Sequence, residues 1–123
     1  MAAPNLIGAT TINGKTTGAN LTTTSATTVL NNAVSSGKCL KINTVNVANY
    51  GATAANITLS WNNAANLGGT SFAIAGNISV PAGSTLNIID KTSQYYLEEN
   101  QSLGATAGTA NTLIVTCSYE DIS

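Results

Sequence analysis

Glu98 and Glu99 stand side by side in the segment QYYLEEN, residues 94–100, just after Tyr95 and Tyr96. A carboxylate pair beside two phenols is raw material for general acid–base chemistry, in which one carboxyl protonates a leaving group while the other attacks or activates water. That chemistry requires both carboxylates to converge on one bond. In extended chain, successive side chains point to opposite faces. Tyr95, Leu97 and Glu99 then share one side, and Tyr96 and Glu98 the other. The pair diverges. Leu97 wants a core, so Glu99 falls where the strand leaves that core, before the ENQS turn. Both glutamates read as solvated strand-end charge, which also discourages edge-to-edge pairing.

Other candidate chemistry is weaker. In SYEDIS, Glu120 and Asp121 again alternate faces, so a calcium site, which needs several clustered oxygens, could form only across subunits and is not expected. The chain has no His, so Ser–His–Asp and Cys–His arrangements are impossible and zinc catalysis is nearly excluded. AVSSGKC, residues 33–39, looks like the end of a phosphate-binding loop. It lacks the first Gly, has Cys39 in place of Ser/Thr, and would need a helix to follow. Cys39 and Cys117 show no metal-ligand spacing and read as small buried hydrophobes in two strands. A disulfide between them would need neighbouring strands and an oxidising compartment. Glycosylation sequons begin at Asn20, Asn56, Asn77 and Asn100, as chance supplies in a chain rich in Asn, Thr and Ser. Trp61, Tyr95, Tyr96 and Tyr119 could stack on sugars or bases, but they are scattered in sequence, and core or interface anchoring is the commoner use. The expectation is a non-enzyme with no catalytic residue, no cofactor and no metal.

The elements that position these residues are strands. In ANITLSWNN, Ile57, Leu59 and Trp61 alternate with Asn56, Thr58 and Ser60, the pattern of a half-buried strand. TSFAIAGNISVP puts Phe72, Ile74, Gly76, Ile78 and Val80 on one face, with a bulge or close approach expected at Gly76. NTLIVTCSYEDI puts Leu113, Val115, Cys117 and Tyr119 on one side. CLKINTVNVANY slips phase between Leu40/Ile42 and Val45/Val47, and a single bulge near Asn43–Thr44 would return both pairs to one face. Asn13–Gly14 favours a tight hairpin, and Gly51, Gly68–Gly69 and Pro81–Gly83 mark turns. TTSATTVLNNAVSSG has room for a helical turn near Val29–Leu30, but its Thr content favours extended chain.

Short strands at this spacing indicate an all-β fold: an antiparallel β-sandwich, jelly-roll-like or immunoglobulin-like, with an extended N-terminal segment. Residues 1–36 are Thr-rich and sparsely apolar, either an arm that orders on a neighbour or an opening hairpin. Residues 37–123 form the sandwich, and the two make one structural unit. The 123 residues suffice for one core.

Charge narrows the function classes. Only 7% of residues are charged, the net charge is −1, and the lysines at 15, 38, 41 and 91 are dispersed. No basic patch exists to hold nucleic acid or anionic lipid. No apolar run reaches the roughly 20 residues of a membrane span, and MAAPNLIG lacks the features of a signal peptide, so cytosolic folding is expected. A hydrophobic fraction of 43% argues for a folded chain. Free monomers usually carry about a quarter to a third charged surface. A chain this poor in charge is expected to bury part of its surface in a larger assembly.

INTVNVANYGATAANITLSW, ISVPAGSTLNIID, YYLEENQSL and the ending CSYEDIS, in that order and spacing, resemble small virion structural proteins of tailed phages, notably those infecting marine bacteria and cyanobacteria. The likeness runs from about Lys38 to Ser123, with an echo in MAAPNLIGATTINGKT. Asn100 and Gln101 stand where the familiar forms carry Gly and an acid, which leaves the turn there open. The resemblance implies a β-sandwich particle component without enzymatic role, located in the virion and assembled in the bacterial host cytoplasm. The expected function is a capsid decoration (cement) protein, homo-oligomeric, with the phage major capsid protein as partner. Alternatives are a neck, collar or tail accessory protein binding neck or tail proteins, and a carbohydrate-binding adsorption module. Leu6, Ile7, Ile12 and Leu21 are the expected partner-interface anchors.

Overall fold

The structure, a computed structural model, describes residues 6–123; the side chain of Leu6 lies outside the described residues. Among the described residues, nine strands follow a short 3-10 turn: β1 (Ile12–Leu21), β2 (Thr27–Asn32), β3 (Cys39–Asn49), β4 (Ala55–Asn62), β5 (Ser71–Val80), β6 (Thr85–Ile89), β7 (Tyr95–Leu97), β8 (Gln101–Ala107) and β9 (Leu113–Ile122). They form two antiparallel sheets packed as a sandwich. One has the order β1-β9-β3-β6, with β7 continuing the β6 edge alongside β3; the other has the order β2-β8-β4-β5. The chain crosses between sheets at every connection except β4–β5 and β6–β7, the arrangement of a jelly roll rather than of an immunoglobulin domain.

The alternation read from sequence organises the core. Ile57, Leu59, Leu103 and Ala105 from one sheet meet Ile42, Val45, Val47, Val115 and Cys117 from the other, all buried, with Trp61 and Tyr119 packed at the margin. The bulge expected in β3 is present: the register with β9 shifts between Ile42 and Thr44. It leaves Leu40, Ile42, Val45 and Val47 all buried. Val29–Leu30 is strand, and a register shift between Thr28 and Leu30 lets both apolar side chains reach the core.

Three expectations are corrected. Asn13–Gly14 makes no hairpin; both residues lie inside β1, opposite Asp121 and Glu120. Ten paired positions along β9 outweigh a dipeptide's turn preference. Residues 6–36 hold one strand in each sheet, since β1 pairs with β9 and β2 with β8, so β1 and β2 do not form a hairpin. In β5 the bulge expected at Gly76 is present, where the register with β4 shifts between Ile57 and Leu59, but a second irregularity follows between Leu59 and Ser60 and the expected single apolar face is broken. Asn77 takes a positive φ of 52° there, and its N–H donates to Thr58 Oγ1 at 2.9 Å. The face changes as a result: Ala75 and Val80 are buried, while Phe72 and Ile78 are exposed.

Three strands end on a buried asparagine that closes the loop after it. Asn32 donates to the carbonyls of Lys38 and Leu97, each at 2.9 Å, and accepts from Ser36. Asn49 donates to the carbonyls of Thr53 and Val80 at 2.9 and 2.8 Å and accepts from the Gly51 N–H at 2.9 Å. Asn62 accepts from the N–H groups of Ala64 and Gly69 at 2.9 and 3.0 Å and donates to Ser71 Oγ at 2.9 Å. Each side chain satisfies backbone groups that the end of a strand leaves unpaired.

Candidate functional site

Five charged residues, Lys15, Lys38, Lys41, Glu120 and Asp121, gather at one end of the five-stranded sheet. Register places Lys15 on β1 and Lys41 on β3 beside the end of β9. Lys15 Nζ and Lys38 Nζ both donate to Asp121 Oδ2, at 2.9 and 3.2 Å, and Lys41 Nζ lies 3.7 Å from Glu120 Oε2. Burial pushes the Asp121 carboxyl up, but the hydrogen bonds and charges of the two lysines outweigh that and hold it below its ordinary value. The cluster borders a pocket of about 260 Å³ with Tyr119, Asn31 and Ser36 on its walls. Its ions are mutually satisfied, so it serves as a clasp joining the first strand to the last.

The glutamate pair diverges. Glu98 is exposed, and its Oε2 accepts from Gln101 Nε2 at 3.4 Å. Glu99 departs from the expected solvated charge: it is half-buried, and its Oε2 accepts the Gly37 N–H at 2.7 Å. The loop that looked like a phosphate cradle therefore holds the protein's own carboxylate. β3 follows it rather than a helix, and Lys38 is engaged by Asp121. Asn100 supplies the turn with a positive φ of 60°, and Gln101 Oε1 accepts the Glu98 N–H at 2.9 Å. These two polar residues thus close the turn that the sequence left open.

Cys39 and Cys117 are both free and buried. Cys39 pairs with Ile122 and Cys117 with Val45, so their positions along β9 differ by five residues, about 17 Å. A disulfide needs Cα atoms within roughly 7 Å, so the two cannot join within one folded chain. Burial raises both thiols, pushing Cys117 up to about 12. Among the described residues, no group of three or more His, Cys, Asp or Glu could hold a metal ion.

The expected interface anchors separate. Ile7 and Ile12 are 96% and 59% exposed, whereas Leu21 is 1% exposed and sits in the core. Leu21 is therefore a structural residue of the folded chain, because β1 delivers its last side chain between the sheets. Leu6, as a side chain, falls outside the described residues.

The fold also assembles a surface the sequence did not reveal. Trp61 from β4, Phe72 and Ile74 from β5, and Tyr95 and Tyr96 from β7 line a groove of about 300 Å³. The Trp61 and Phe72 ring centroids are 5.4 Å apart with planes tilted by 30°, within the range of favourable aromatic pairs. Trp61 Nε1–H donates to Gln101 Oε1 at 3.3 Å. Tyr119 stands apart, at the charged pocket.

No known protein-family model matches the sequence, and no curated protein matches it. Among solved structures, the chain is similar to a protein of Bacillus endospore appendages, described as a novel family of disulfide-linked pili. The identity is 11% and the TM-score 0.54, over 100% of this chain and 96% of that one. A second likeness, to a chain of the infectious bursal disease virus Gx strain, has 10% identity and a TM-score of 0.28, over 89% of this chain and 42% of that one. The likeness to the appendage protein is one of fold.

Proposed function

We propose that this chain is a structural subunit of an assembled particle, and specifically a virion structural protein of a tailed phage that decorates the capsid as a homo-oligomer. The observation that carries the reading is the four-stranded sheet: β2, β4, β5 and β8 contain no charged residue at all. Thr28, Asn56, Thr58, Ser60 and Thr106 are only partly exposed on these strands. An uncharged face can enter contact without desolvating ions, and buried apolar area contributes about 25 cal/mol per Å² whatever the salt. At seawater ionic strength the Debye length falls below about 5 Å, where ion-pair assembly weakens and this kind does not. The resemblance of the 38–123 segments to phage virion proteins supports the particle, and Ile7 and Ile12 offer exposed apolar side chains for a neighbouring capsid protein.

The test is to label the protein in particles and count it. Decoration predicts on the order of hundreds of copies spread over the head; a ring of about six to eighteen copies would move the assignment to the neck or tail. A filament-forming appendage subunit is a second reading, favoured by the end-to-end fold likeness to a pilus protein. That protein's pili are disulfide-linked, whereas Cys39 and Cys117 here are buried. On this reading the assembly would be non-covalent, and treatment with a reductant should leave it intact.

A further inference from the structure

The aromatic groove at the β5–β7 side of the sandwich is unused by the assembly reading. From its geometry we infer that it is a binding site for a neutral saccharide. Its walls are Trp61, Phe72, Ala73, Ile74, Tyr95 and Tyr96, with no charged side chain among them. A pyranose ring has an apolar C–H face and a rim of hydroxyls, and it matches aromatic rings that carry polar handles. Trp61 is pre-set for that use by the Phe72 ring on one side and the Gln101 carbonyl on its indole N–H. Tyr95 and Tyr96 are 38% and 44% exposed, and neither phenol hydroxyl has a hydrogen-bond partner among the described residues, which leaves both to meet sugar hydroxyls.

Scale separates this occupant from a second copy of the chain. A stable protein interface uses about 20–30 residues a side, whereas six line this groove, whose volume is at the low end for small-molecule sites. The neighbouring edge also resists strand addition, because β5 is irregular at two points and bulged edges pair poorly.

Trp61 is the chain's single tryptophan, so its fluorescence reports on the groove directly. Full-length protein is titrated with maltotriose, cellotriose and N,N′,N″-triacetylchitotriose, with trigalacturonate as the charged control. At least one neutral trisaccharide is expected to shift Trp61 emission saturably, and Phe72→Ala and Tyr96→Ala should each weaken that binding about tenfold. Both side chains are exposed, and thermal melts of the variants check their folding. Should Phe72→Ala unfold, Tyr96→Ala alone decides. The inference is overturned if none of the neutral sugars shifts the emission or if only trigalacturonate does. It is also overturned if the shift survives a folded variant, or if the emission follows protein concentration instead of sugar, which would make the groove a self-contact. Oligomeric state measured on the same variants keeps this outcome distinct from the assembly reading.

Discussion

In the five-stranded sheet, Lys15 and Lys41 meet Asp121 and Glu120 across strand pairs, and Lys38 joins them from the loop before β3. In the four-stranded sheet not one residue of β2, β4, β5 or β8 is charged. Both sheets pack on the same core, so the difference does not arise from burial on the inner faces. It arises at the surface. One sheet uses scarce charge internally, to fasten β1 against β9 and β3. The other is finished with Thr, Ser and Asn, whose contact energy is insensitive to salt. A loop folds over part of that second sheet: Leu67 packs so closely on Gly104 that a Cβ there would lie 2.7 Å from Leu67 Cδ2. Ser102 Oγ ties the loop down, accepting from the Leu67 N–H at 3.0 Å and donating to the Ala64 carbonyl at 2.7 Å.

The core should not distinguish the sheets. Leu59→Ala in the four-stranded sheet and Leu113→Ala in the five-stranded sheet should each cost about 3 kcal/mol in urea unfolding, since both side chains are fully buried. A cost below about 1 kcal/mol for either would mean that one sheet is stabilised by something other than the shared core. Asn62→Ala should cost about 2 kcal/mol, because it strands the N–H groups of Ala64 and Gly69. It should leave the five-stranded sheet's amide protection unchanged.

Asp121→Asn sharpens the contrast from the other side. It should cost about 1–2 kcal/mol, less at high salt because both lysines are partly exposed. Asp121 is held below its ordinary 3.8, so its contribution is present above that pH and lost as pH falls through the lowered value. Asp90, held low by hydrogen bonds from Thr92 and then Ser93, adds to the same acid limb. At the alkaline end Cys117, raised from 9.0 to about 12 by burial, contributes stability that is full below 9.0 and fades as pH climbs toward 12. Thermal melts against pH should therefore show Asp121→Asn flattening the acid limb while leaving the alkaline limb in place.

Much of this architecture was legible because it rests on period-two patterns with large side chains at every second position. Ile57 and Leu59 in β4, and Leu113, Val115 and Cys117 in β9, could be assigned to the core by alternation alone. The β3 bulge was visible as a phase slip, since Leu40/Ile42 and Val45/Val47 cannot share a face without an extra residue. β1 was illegible for the opposite reason. INGKTTGANL carries few apolar side chains, and its strand state is dictated by backbone pairing to β9. In β5 the bulge at Gly76 was visible, but the second irregularity was hidden because Ala73 and Ala75 read as neutral spacers in either phase. Glu99 was misjudged because its partner is a backbone N–H at Gly37, remote in sequence. The aromatic groove draws on three strands whose adjacency only the strand order reveals.

The most direct test of the account is sedimentation velocity of the native chain and of Ser60→Lys, which places one charge on the uncharged sheet. The fold of the variant should change by less than about 0.5 kcal/mol. The native chain is expected to sediment as an oligomer of the same mass at low and high NaCl, and Ser60→Lys to shift it toward monomer. A native oligomer that dissociates as salt rises, or a Ser60→Lys protein that assembles as the native one does, would contradict it.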